Sequence, residues 1–94
     1  MKPERIELKQ ESPSWAVFKA TLGRTYGLAS FDGARTFAAF VEGMAEASPS
    51  EVELSVRGPL ATVEVTSAED TGLTDAEYQL SQAIDRAYDL FVGN

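Results

Sequence analysis

Thr74 and Glu77 stand three residues apart, spaced so that each side chain can satisfy an otherwise orphaned N–H in the first turn of a helix. That is hydrogen-bonding chemistry, not bond-making chemistry. The side chains that most often make and break bonds are missing, because the 94 residues include no histidine and no cysteine. A disulfide, a thiolate metal site and a cysteine nucleophile are therefore excluded. Gone too is the one side chain that titrates near neutrality without help. No spacing suggests a metal or cofactor site, and none is expected.

The capping box belongs to a stretch from Thr66 to Ala87 around which the chain is organised. Gly72 lets the backbone turn sharply before the helix. Leu73 and Tyr78 are spaced as a hydrophobic staple. Behind them Leu80, Ala83, Ile84, Ala87 and Phe91 draw one apolar stripe, and Gly93 can close the helix. Upstream, Glu51-Val52-Glu53-Leu54-Ser55-Val56 and Ala61-Thr62-Val63-Glu64-Val65-Thr66 each alternate polar with apolar, and Arg57-Gly58-Pro59 turns the chain between them. This is the clearest hairpin. Ser30 caps a helix over Phe31 to Ala47, with Ala34, Phe37, Val41, Met44 and Ala45 on its apolar face and Phe40 beside them. Ser48-Pro49-Ser50 ends it.

An earlier hairpin is expected from Trp15–Thr21 and Thr25–Ala29, with its turn at Leu22-Gly23-Arg24. Trp15, the single tryptophan, suits core or interface packing. Met1 to Ser14 forms an N-terminal arm or short strand in which Ile6 and Leu8 alternate with charge, and residues 15–94 form the domain. The order is β-β-α-β-β-α, an α+β fold. Two helices cover one face of a four-stranded antiparallel sheet, and the other face meets solvent or a second subunit.

Composition fixes what such a domain can meet. A net charge of −7 argues against nucleic acid as a direct partner. The charge is uneven: from Glu42 onward eleven acids face only Arg57 and Arg86. That surface either is merely solvated or steers the protein towards a client with a basic surface. No run is apolar and long enough for a membrane helix, and the N-terminus lacks the apolar core of a signal peptide, so the cytoplasm is the expected location.

Phe31 to Ala47, the second hairpin, and Thr66-Ser67-Ala68-Glu69-Asp70-Thr71-Gly72-Leu73-Thr74 together resemble the pterin-4a-carbinolamine dehydratase family. In that family a helix leads to a His-His-Pro segment, and a hairpin ends in a Thr-His run. A Gly-Leu-Thr turn and a helix of the Ala-Ile-Asp type follow, matched here by Gly72-Leu73-Thr74-Asp75 and Ala83-Ile84-Asp85. The resemblance implies dehydration of a 4a-hydroxytetrahydropterin such as the tetrahydrobiopterin derivative, in which hydroxide leaves C4a as a proton is lost from nitrogen. Such a step needs groups that exchange protons near neutral pH.

The departures fall on those groups. The paired histidines of the family should stand within Ser48-Pro49-Ser50-Glu51, and the third aligns with Ala68. Ser48, Pro49, Ser50, Glu51, Ala68, Glu69 and Asp70 thus mark a degenerate site with no catalytic residue. Two functions follow from the resemblance. One is a non-catalytic protein acting through protein–protein contacts, as relatives do that serve as Rubisco assembly factors in α-carboxysomes or as transcription coactivators. Its contact surface would be the open sheet face with the acidic rim of Glu51, Glu53, Glu69 and Asp70. Val52, Leu54 and Val56, or their hairpin partners, could instead pair across a homodimer seam. The alternative is a dehydratase in which Glu51, Glu69 and Asp70 replace the imidazoles, since burial can raise a carboxyl pKa into a useful range. Family members usually begin with a helix that Met1 to Ser14 does not support. A homodimer or higher oligomer is therefore expected to cover the apolar surface left behind.

Overall fold

A computed structural model describes residues 11–12, 14–68 and 72–92. The elements run β1 (Ala16–Phe18), β2 (Thr21–Gly27), α1 (Phe31–Ala45), β3 (Glu51–Arg57), β4 (Leu60–Thr66) and α2 (Asp75–Val92). The four strands form one antiparallel sheet in the order β1-β2-β4-β3, and the helices pack on one face of it. No helix among the described residues is long and apolar enough to cross a membrane.

Register decides which side chains meet the helices. In β2 and β4, Tyr26 lies opposite Ala61, Arg24 opposite Val63 and Leu22 opposite Val65. Because successive side chains alternate between faces, these residues and Val52, Leu54 and Val56 of β3 share the helix-covered face. They build the core with Phe37, Val41, Leu80 and Ile84. Tyr26 is its centre, with ring centroids 5.0 Å from Phe37, 4.7 Å from Tyr88 and 6.0 Å from Trp15. The open face carries the other parity. There Thr21 and Thr66 hydroxyls sit 3.0 Å apart and those of Thr25 and Thr62 2.9 Å apart, cross-strand pairs that tie β2 to β4.

The second hairpin follows its alternation, closed by Gly58 at φ +58. The first does not follow the expected boundaries. Its turn lies at Lys19–Ala20, and Leu22, Gly23 and Arg24 sit inside β2. A glycine beside a charge imitates a turn in sequence. In the fold, seven consecutive pairs with β4 fix the strand straight through it, and Lys19 adopts a left-handed φ of 56 to make the reversal. α1 ends two residues earlier than its pattern suggested, with Ser30 as its N-cap, whose hydroxyl oxygen accepts from the Gly33 N–H at 3.1 Å. Met44 and Ala45 are only half-buried, while Ala38 joins the buried face and Phe40 is 50 % exposed. Of the α2 stripe, Leu80, Ile84 and Ala87 are buried and Phe91 lies at the rim. Leu73 packs against the core, whereas its expected staple partner Tyr78 is exposed.

Ser12 lies along β2, its N–H donating to the Thr25 carbonyl at 2.7 Å and its hydroxyl accepting from the Thr25 N–H at 3.2 Å. The expectations for Ile6, Leu8 and Gly93 fall outside the described residues.

Candidate functional site

The last turn of α1 tightens, with Ala47 N–H donating to Met44 O and Ser48 N–H to Ala45 O. Ser48 then folds its hydroxyl back to accept from the Ser50 N–H at 3.2 Å. This local turn, fixed by Pro49 between the two serines, drives Ser50 inward, where it is buried. On the far side of the sheet end, Gly72 at φ +107 swings the chain into α2. The two segments meet at Glu77.

Glu77 is 2 % exposed and fully engaged. Its Oε1 accepts from the Thr74 N–H at 2.6 Å and the Thr74 hydroxyl at 2.7 Å, and its Oε2 accepts from the Ser50 hydroxyl at 2.6 Å. Thr74 Oγ1 in turn accepts from Ala76 N–H at 3.3 Å, so the capping box forms as its spacing implied. Burial by itself pushes this carboxyl upward, but the hydrogen bonds from Ser50 and from Thr74 outweigh it and hold Glu77 below the ordinary carboxylate range. The anion is locked and cannot serve as a proton donor near neutral pH.

A pH dependence follows with a definite sign. A group whose pKa is lowered on folding stabilises the fold above its unfolded value and loses that contribution as pH falls through its folded value. Urea titrations are expected to show the Glu77 contribution intact at neutral pH and fading below the ordinary carboxylate value of 4.5. A Glu77→Gln chain should lack that part of the acid limb.

Of the degenerate site positions, Ser48 and Ser50 are thus spent on structure. Pro49, Glu51 and Ala68 are exposed, with Glu51 opening β3 opposite Thr66 and Ala68 two residues beyond that pair. Glu69 and Asp70 lie outside the described residues. Glu77 was legible as a local cap. Its link to Ser50, 27 residues away, leaves no trace in spacing.

A second polar set lies between α2 and β2. Asp85 Oδ1 accepts from Tyr26 hydroxyl at 2.6 Å, Arg24 Nη1 at 2.9 Å and Trp15 Nε1 at 3.0 Å. The Arg24 guanidinium also lies over the Tyr26 ring, 4.6 Å from its centroid. Burial, reinforced by the Asp85 carboxylate, pushes the Tyr26 hydroxyl far above its usual range, so it stays a donor. Tyr88 hydroxyl, 2.8 Å from Gly27 O and 2.9 Å from Glu11 Oε2, is raised likewise by burial and by Glu11. Neither phenol can act as a base near pH 7. Among the described residues no group of three or more acidic side chains is placed to hold a metal ion.

The family model described as "Pterin 4 alpha carbinolamine dehydratase" matches residues 1–87. Two similar proteins are each named "Putative pterin-4-alpha-carbinolamine dehydratase". The one from Herpetosiphon aurantiacus is 28% identical over 81 residues, covering 86% of this chain and 83% of its own. The one from Chloroflexus aurantiacus is 29% identical over 82 residues, covering 87% and 88%.

Proposed function

The chain belongs to the pterin-4-alpha-carbinolamine dehydratase family, and on that premise we propose that it is a non-catalytic member, a cytoplasmic assembly or regulatory factor working through protein–protein contacts in the manner of a Rubisco assembly factor. One observation carries this. The chain has no imidazole at all, and the buried carboxylate beside Ser50 is held as a fully hydrogen-bonded anion. A fold does not keep its reaction once the groups that moved the proton are gone.

The partner in this reading has a basic surface. On the open face of the sheet Glu53 lies directly opposite Glu64, and Glu51 stands one pair further along the same face. Like charges placed opposite one another across strands are destabilising, and a Lys- or Arg-rich partner offsets that cost. The chain also acts as a homodimer or higher homo-oligomer, which buries apolar surface that a small domain leaves wet.

Isothermal titration with a reduced pterin tests the loss of the substrate site. No saturable heat is expected up to millimolar pterin, the upper end of the range in which enzymes commonly hold substrates. Saturable micromolar binding, weakened by Glu51→Gln, would overturn the proposal in favour of a carboxylate-based dehydratase.

A further inference from the structure

One carboxylate oxygen, Asp85 Oδ1, receives both the Trp15 indole N–H at 3.0 Å and the Tyr26 hydroxyl at 2.6 Å. The two rings also lie edge to face, their centroids 6.0 Å apart and their planes at 77°. Trp15 is half-buried, whereas Tyr26 is closed off from solvent. In a chain without cysteine, indole and phenol are the side chains that lose a single electron most readily. Each sheds a proton as it does so, and here both protons point at the same oxygen. The 2.6 Å contact has the length of a charge-assisted O–H···O⁻ bond.

We propose that Trp15, Asp85 and Tyr26 form a one-electron relay, in which a small oxidising radical from solvent takes an electron at Trp15 and the vacancy moves inward to Tyr26. Electrons and protons balance at each step. Azidyl, as the oxidant, gains one electron and becomes azide. The Trp15 Nε1 proton passes to Asp85 Oδ1, leaving a neutral indolyl radical. Tyr26 then gives that radical one electron. Asp85 returns the proton to Nε1 and takes up the phenol proton in its place. Trp15 is restored, Tyr26 is a neutral phenoxyl radical, and Asp85 holds the one proton released, donating it back as a hydrogen bond to the phenoxyl oxygen.

Three features make Tyr26 the end point. The Arg24 guanidinium lies 4.6 Å from its ring centroid, so a ring that lost an electron but kept its proton would set a positive charge against a fixed one. The electron therefore leaves only as the proton does, and that requires the acceptor on its hydroxyl. Once the proton has gone the radical is uncharged, which suits a closed site between the Phe37 and Tyr88 rings. The Asp85 side chain is 36% exposed, so solvent screens the charge left on Arg24 when the carboxylate is neutralised. The Tyr88 hydroxyl, bound to Gly27 O and Glu11 Oε2, does not share the Asp85 oxygen.

Pulse radiolysis of the full chain in azide solution tests the relay, with azidyl as the probe oxidant. The green indolyl absorption is expected to decay as the violet phenoxyl band grows, at one first-order rate that does not change with protein concentration. Tyr26→Phe keeps the ring and removes the hydroxyl; the growth should vanish and the indolyl radical persist. Asp85→Asn keeps the shape and removes the base, and transfer should slow by about a hundredfold, the scale at which a positioned proton acceptor acts. Heavy water should slow the wild-type transfer with no substitution made, so the test does not depend on either variant folding. A rate that rises with protein concentration, phenoxyl growth that survives Tyr26→Phe by ending on Tyr78 or Tyr88, or an unchanged rate in Asp85→Asn or in heavy water would each overturn the proposal. None of these outcomes bears on the pterin titration.

Discussion

Glu77→Ala lowers the stability of this domain by about 3 kcal/mol and its melting temperature by more than about 10 °C. The carboxylate joins two loops that nothing in the local sequence requires to meet, accepting from Ser50 on one side and from Thr74 on the other. Hydrogen bonds to a charged group contribute roughly 1.5–3 kcal/mol each, and truncation leaves three donors in a space that is nearly closed to solvent. It also removes the Glu77 half of the capping box, while Thr74 Oγ1 still accepts from the Ala76 N–H. Against a total stability on the order of 5–15 kcal/mol, that loss is large. Glu77→Gln separates charge from shape. Its oxygen can still receive both Thr74 donors, and its amide can donate to Ser50, whose hydroxyl is able to accept. About 1 kcal/mol is expected for that change at neutral pH. The gap between wild type and the Gln variant should close as the medium is made acidic. Chemical denaturation over a pH series measures both effects.

Asp85→Ala is the second large loss, about 2–3 kcal/mol. One carboxylate oxygen holds Trp15, Arg24 and Tyr26 together, so removing it strands three donors at once. The ion pair with Arg24 itself is worth less than a fully buried one, because the side chains are 15% and 36% exposed and solvent screens them. Most of the cost therefore comes from the Tyr26 hydroxyl, which stays in a closed aromatic cluster without an acceptor. Two optical readouts follow. Trp15 emission should change as its indole N–H loses its partner. The alkaline absorbance titration of Tyr26 should move to lower pH, since Asp85 contributes to the elevation while burial remains. If Asp85→Ala matched wild type in both, the cluster would not hold the first hairpin to α2.

These two residues show where the sequence stops being legible. Periodicity locates β3, β4 and α2 because each pattern is local: alternation across Glu51–Val56 and Ala61–Thr66, helical spacing from Leu80 to Ala87, a cap three residues wide. The first hairpin was misplaced because Gly23-Arg24 has the composition of a turn, while its true neighbours lie in β4 and α2. The lack of histidine was legible as an absence, since it needs no geometry to be noticed. The long-range polar contacts were not. Ser50 finds Glu77 across 27 residues, and Asp85 finds Arg24 and Trp15 across 61 and 70. Such pairings depend on how a helix lands on a sheet, which side-chain chemistry alone does not specify.

Among the described residues, Ser48 and Ser50 hold structure, and Pro49, Glu51 and Ala68 face water. Stopped-flow decay of authentic 4a-carbinolamine, with purified chain in stoichiometric amount, puts this to the most direct test. Decay at the rate of buffer alone is the predicted result. Acceleration above that background, abolished by Glu51→Ala or Asp70→Ala, would contradict it.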